Sequence, residues 1–252
     1  MSLTIVKYVL LAAMRDKLIY SLLAAMALVV SLSYFFGGSA VVEQDQFVLV
    51  YVASVLRLLF VFGVVLFVIF FIRKSFDNKD IEYLLSRPVG RKNFIGSYLL
   101  ALIILCAFFS IVVGLAVYAV GKTYVSASYL LWAYSFFIEL SIMAAAALFF
   151  AMALNTPVSA TIVTFAFYVL SRLIGQLIGI VTNVHHFGSY EVMSNIVKTV
   201  SLFVPRLDLM TQSSWLLYGS QDIGFVLVTV QGMIFVCVLS CASMIDFVRR
   251  QF

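Results

Sequence analysis

Charge is what this sequence lacks most. Only 11% of its 252 residues are Asp, Glu, Lys or Arg, against 64% hydrophobic residues. A water-soluble domain of this size needs a polar coat, and so little charge cannot supply one. The surrounding solvent is therefore lipid. Proline is nearly absent, at three residues, and no Gly/Ser-rich or low-complexity linker interrupts the chain. One integral membrane domain without an attached soluble catalytic domain is expected. The three cysteines, Cys106, Cys237 and Cys241, all fall in apolar runs. An odd number in lipid argues against a disulfide framework and for small packing residues. No cleavable signal peptide is expected, because Lys7, Arg15, Asp16 and Lys17 crowd the first residues and no convincing small-residue cleavage site follows.

The hydrophobic residues that dominate instead are arranged in long runs. A helix needs about 20 apolar residues to cross a hydrocarbon core of about 30 Å. Six runs qualify: 18–36, 47–72, 94–120, 128–154, 158–181 and 222–245. The fourth and fifth are separated only by Asn155, Thr156 and Pro157, a helix-breaking turn. The spans must be helical, since lipid offers no partners to backbone N–H and C=O groups. The predicted fold class is thus all-α, a polytopic membrane protein with six spans. Residues 1–17 are too short and charged to cross, and read as an amphipathic helix at the membrane interface. If the N-terminus lies inside, eleven Lys/Arg fall on cytoplasmic segments and three on outer ones. That asymmetry places both termini in the cytoplasm. It also accounts for most of the net charge of +5, so no nucleic-acid partner is implied.

Between spans two and three the chain reads FDNKDIEYLLSRPVGRKNF. Here charge is concentrated, over residues 76–88 and just beyond. Asp77 suits a helix N-cap, Asp80 falls at N3, and Phe76 and Ile81 have the spacing of a hydrophobic staple. Pro88 forces Arg87 out of the helical region and ends the helix. The result is a two-turn helix over roughly 78–85, with Ile81, Leu84 and Leu85 on one face and Lys79 and Glu82 off it. So short a helix is not stable alone in water and must dock. Two surfaces are open to it. One is the membrane, where Arg87, Arg91 and Lys92 would meet anionic headgroups. The other is a groove on a cytoplasmic partner, which would use the acidic residues Asp77, Asp80 and Glu82 that anionic lipid repels.

The run Glu82-Tyr83-Leu84-Leu85-Ser86-Arg87-Pro88-Val89-Gly90-Arg91 resembles the Glu-x-Leu-Leu-Ser-x-Pro-Val-x-Arg signature of type-2 ABC exporter permeases. Lys79-Asp80-Ile81 stands where that family usually has a Gly-Thr-Leu type of triplet. The resemblance implies that Asp77, Asp80, Ile81, Glu82, Leu84, Leu85, Arg87, Pro88 and Arg91 form a coupling helix. That helix docks into a cleft of a separate ATP-hydrolysing subunit. It further implies a half-transporter that works as a homodimer, with ATP and Mg held by the partner subunit and no cofactor on this chain. Short helices in the extracytoplasmic segment 182–221 would cap the outer mouth, and the location would be a bacterial inner or plasma membrane. The only Gly-Lys-Thr, Gly121-Lys122-Thr123, has Ala116 where the first glycine of a phosphate loop belongs, so this chain carries no ATPase motif of its own. The alternatives are a secondary transporter and an intramembrane scaffold without ATP coupling.

Three charges remain inside spans: Arg57, Glu139 and Arg172. Their depths agree to within a few ångströms at about 1.5 Å per residue, which suggests one Arg–Glu–Arg layer in the outer half. It reads either as an internal salt bridge, Arg57 with Glu139 and shared with Arg172, or as a polar gate touching an anionic substrate. One carboxylate between two arginines favours the first. His185 and His186 are adjacent and point about 100° apart on a helix, which argues against a shared metal. Trp215 and Tyr218 fit an outer aromatic belt.

Overall fold

The computed structural model of the protein describes residues 3–38, 43–78, 91–121, 128–183, 199, 201, 204–219 and 224–249. Among these the chain is all-α. The helices are α1 (Leu3–Arg15), α2 (Leu18–Gly37), α3 (Gln44–Asp77), α4 (Arg91–Val120), α5 (Ser128–Ala153), α6 (Pro157–Asn183), the four-residue α7 (Trp215–Tyr218) and α8 (Phe225–Arg249). A 3₁₀ turn, Leu207–Leu209, precedes α7. Six of the helices, α2 to α6 and α8, are long and apolar enough to cross a membrane.

The helix ends follow from local chemistry. α6 starts at Pro157, whose missing N–H costs nothing in a first turn. Thr156 caps it, its Oγ1 accepting from the Ser159 N–H at 3.2 Å. The turn from α5 is only Leu154-Asn155-Thr156. α3 runs five residues past the expected limit of 72. Lys74 in its last turn complements the negative end of the helix dipole. Asp77, the expected N-cap, is the last residue of α3, and the Asn78 N–H still donates to the Lys74 carbonyl at 3.0 Å; the helix that Asp77 is expected to cap lies outside the described residues. The predicted coupling residues Asp80, Ile81, Glu82, Leu84, Leu85, Arg87 and Pro88 lie outside the described residues, as do His185 and His186. Arg91 is the first residue of α4.

α5 is the axis of the bundle. In its membrane window 78% of residues are buried inside the protein, against 11% for α2 and α8. It packs on α3, α4, α6 and α8. Its run Ala144-Ala145-Ala146-Ala147 is buried throughout, and such small side chains let neighbouring helices approach closely where lipid supplies no hydrophobic drive. Gly232 on α8 serves the same end, since a Cβ there would collide with Ile138 of α5. Ser110 of α4 donates to the Ala133 carbonyl of α5 at 2.8 Å, tying these two helices by a side-chain bond as well.

Aromatic pairs show which helix ends share a side. Tyr8 of α1 meets Phe71 near the end of α3, Phe71 stacks on Tyr98 near the start of α4, and Phe94 stacks on Phe247 near the end of α8. That is the basic end of the bundle. At the opposite end Phe36 of α2 meets Tyr51 of α3, and Tyr134 of α5 meets Phe225 of α8. α1 presses Ile5, Val6, Val9 and Ala13 onto the bundle, chiefly on α4, and leaves Leu3, Leu11 and Met14 exposed. The cysteine expectation is half corrected. Cys106 is buried as a packing residue, but Cys237 and Cys241 are exposed on α8, facing away from the bundle.

Candidate functional site

Three helices each contribute a pair of polar side chains at helical spacing. α3 carries Ser54 and Arg57, α5 carries Ser135 and Glu139, and α6 carries Tyr168 and Arg172. Spacings of three or four residues put both members of each pair on one helix face. Glu139 is eleven residues into α5 and Arg172 eleven before the end of α6. At about 1.5 Å per residue this is about 16 Å from the helix ends, inside the half of the bundle opposite the basic end.

Glu139 has no solvent exposure, and its ion-pair partner is Arg172, whose Nη2 lies 3.1 Å from Oε1 and 3.2 Å from Oε2. The Tyr168 hydroxyl donates to the same Oε1 at 3.1 Å. The expected Arg57–Glu139 salt bridge is not formed. Arg57 instead donates through Nη1 to the Thr211 carbonyl at 2.8 Å. The reason is a segment that the comparison of depths could not include.

That segment is Val204–Tyr218, between α6 and α8. It dips into the bundle rather than lying over it. Val204, Leu207, Met210, Thr211, Trp215 and Leu216 are all buried. Irregular backbone at membrane depth persists only where protein groups satisfy its polar atoms, and the two arginines do so. Arg172 turns its second terminal nitrogen, Nη1, to the carbonyls of Leu207 and Met210. Arg57 takes the carbonyl of Thr211, and Ser135 Oγ accepts the Thr211 N–H at 3.1 Å. Ser54 and Ser213 share a hydroxyl bond of 2.8 Å.

Thr211 is held at φ 52°, a left-handed conformation that a β-branched residue rarely adopts. Its amide and carbonyl are both clamped by the bundle, which is how such a conformation persists. Within the segment Arg206 pairs with Asp208 at 3.2 Å, and Gln212 donates to the Asp208 carbonyl at 2.9 Å. Gly175 of α6 makes room for Asp208, since a Cβ there would run into its carboxylate.

The arrangement is a latch. The charges of Arg57 and Arg172 exceed that of Glu139 by one, and the excess is spread over backbone carbonyls rather than over a second carboxylate. The hydrogen bonds that the two guanidinium groups donate through their terminal nitrogens all go to the inserted segment or to Glu139. Sequence reasoning singled out the three charges but not Ser54, Ser135, Tyr168, Thr211 or Ser213. The helical spacing of the first three to a charge was a usable signal. Trp215, expected in an outer aromatic belt, is buried in the inserted segment instead, while Tyr218 is exposed. No family model matches this chain, and the search of curated proteins finds no match.

Proposed function

We propose that this chain is the membrane-spanning permease subunit of an ATP-driven exporter of the type-2 ABC class, which moves a hydrophobic or amphipathic substrate out of the cytoplasm or inner leaflet. The observation that carries this reading is the inserted Val204–Tyr218 segment latched by Arg57 and Arg172. Non-helical backbone sunk into a helix bundle marks a place where the protein, not lipid, lines the axis. A path through the molecule would be closed there, at the end opposite the basic one. In the sequence the signature Glu82 to Arg91 leads from the end of α3 into the start of α4, and in this reading an ATP-hydrolysing partner docks on it. Energy would thus enter at one end and open a latch at the other. Eleven of the 16 Lys/Arg fall on segments of the basic end, which supports a cytoplasmic position for it and for both termini. ATP and Mg belong to the partner in this reading, and the working unit contains two copies of this chain.

Copurification of a tagged permease with its ATPase tests the assignment. Full burial of one leucine is worth about 1.5–3 kcal/mol. Leu84→Asp should lose that burial, place an unpaired charge in the groove and weaken ATPase association at least tenfold. Glu82→Arg should act in the same direction and Lys79→Ala should have little effect. Wild-type association and substrate-stimulated hydrolysis in both Leu84→Asp and Glu82→Arg would overturn the assignment.

A further inference from the structure

At the basic end a groove of about 470 Å³ runs between α1 and the last turns of α3. Its walls are one face of each helix. Tyr8, Leu11 and Arg15 follow the i, i+3, i+7 pattern, and Phe71, Lys74 and Asn78 repeat it on α3. The groove is graded in polarity. Where Tyr8 meets Phe71 it is apolar, and Leu11 there is 53% exposed. Where Asp16 meets Lys74 it is charged, with the two side chains 3.7 Å apart, Lys74 largely in solvent and Asp16 partly covered. Arg15 completes the charged end, exposed and without a hydrogen-bond or ion-pair partner among the described residues. Two cations and one carboxylate leave a net charge of +1.

We infer that this groove binds one anionic phospholipid, its phosphate between Arg15 and Lys74 and the first methylenes of an acyl chain against Tyr8, Leu11 and Phe71. Depth favours a lipid over a soluble anion. Phe71 belongs to the membrane-crossing run of α3, and Asn78 is the residue after its end. Those seven residues rise roughly 10 Å, enough to cross one headgroup layer, which is about 5–7 Å thick. The change from apolar to charged along the groove follows the same change in the bilayer. A soluble anion would use the charged end alone and leave Leu11 in water. The inference does not depend on an ATPase partner or on transport.

Native mass spectrometry of the detergent-purified chain, with phosphatidylglycerol and phosphatidylcholine in competition, tests it. About 1 kcal/mol per surface cation near an anionic lipid corresponds, for a net charge of +1, to about a fivefold preference for a single phosphatidylglycerol. Arg15→Gln combined with Lys74→Gln should abolish the preference. Asp16→Asn should raise it, an opposite shift that misfolding cannot produce. Should the double variant fail to fold, Arg15→Gln alone should still lower the preference. Equal retention of the two lipids by the wild-type chain would overturn the inference, as would an undiminished preference in the Arg15 variants. Displacement of the bound phosphatidylglycerol by millimolar inorganic phosphate would overturn the lipid assignment and make the groove a soluble-anion site.

Discussion

Glu139 sits fully buried between Arg172 and Tyr168, so its charge is bearable only while those partners stay in place. Removing one member of a buried ion pair typically costs about 3–5 kcal/mol, most of it for the charge left behind. Glu139→Ala should therefore lower the melting temperature of the detergent-purified chain and reduce its yield. It strands Arg172 in apolar surroundings, although two backbone carbonyls still accept from Nη1. Arg57→Gln should do less. It removes one charge-assisted bond to the Thr211 carbonyl, worth about 1.5–3 kcal/mol, and leaves no buried ion unpaired. Arg172→Lys keeps the charge, but an ammonium cannot span Glu139 on one side and Leu207 and Met210 on the other. Its melting temperature should fall below that of Arg57→Gln. A ranking with Arg57→Gln as the most damaging of the three would refute the latch geometry.

Among the elements, the inserted segment differs most from its surroundings. The spanning helices satisfy their own backbones, whereas Val204–Tyr218 depends on α3, α5 and α6 for three carbonyls and an amide. It is the part whose removal from the bundle leaves the helices intact. Gly175→Ala tests this from the helix side, because the added methyl occupies the place of the Asp208 carboxylate. In a chain with Cys106, Cys237 and Cys241 replaced, a cysteine at position 213 should label slowly with a membrane-impermeant maleimide. Adding Gly175→Ala should raise the labelling rate severalfold while the helical content read by circular dichroism stays constant. An unchanged rate would mean that Asp208 moves aside without carrying the segment with it.

For the whole molecule, burial is uneven. α5 is enclosed, while α2, α6 and α8 turn most of their apolar surface outward. Val158, Ile162, Val169, Leu173 and Leu177 make a continuous exposed row along α6, and Leu28, Leu32 and Phe35 lie exposed on α2. Lipid suits such surfaces, and a second copy of the chain would suit them equally. The half-transporter reading puts the seam on α2 and α6, the first and fifth spans. The mass of the particle in nanodiscs should therefore correspond to two copies of this chain, with or without the ATPase. A monomeric preparation that transports would contradict this.

What the sequence determined by itself was the solvent and the periodicity. Eleven per cent charge dictates lipid, and lipid dictates helices, because no other open structure satisfies its backbone there. The six spans could be read to within about five residues for the same reason. The Asn155-Thr156-Pro157 break was legible because Pro157 and Thr156 act on their own neighbours. The three intramembrane charges were visible too, since any ion in an apolar run stands out. Their partners were not. Comparing depths along spans treats the bundle as a set of straight rods and offers Arg57 only Glu139. Tertiary structure brought Val204–Tyr218 into the same layer, from about 40 residues beyond Arg172 and 150 beyond Arg57 in the chain. A carbonyl is present at every residue and leaves no mark in a sequence, so nothing in the order of side chains said which carbonyls the two half-buried guanidinium groups would hold.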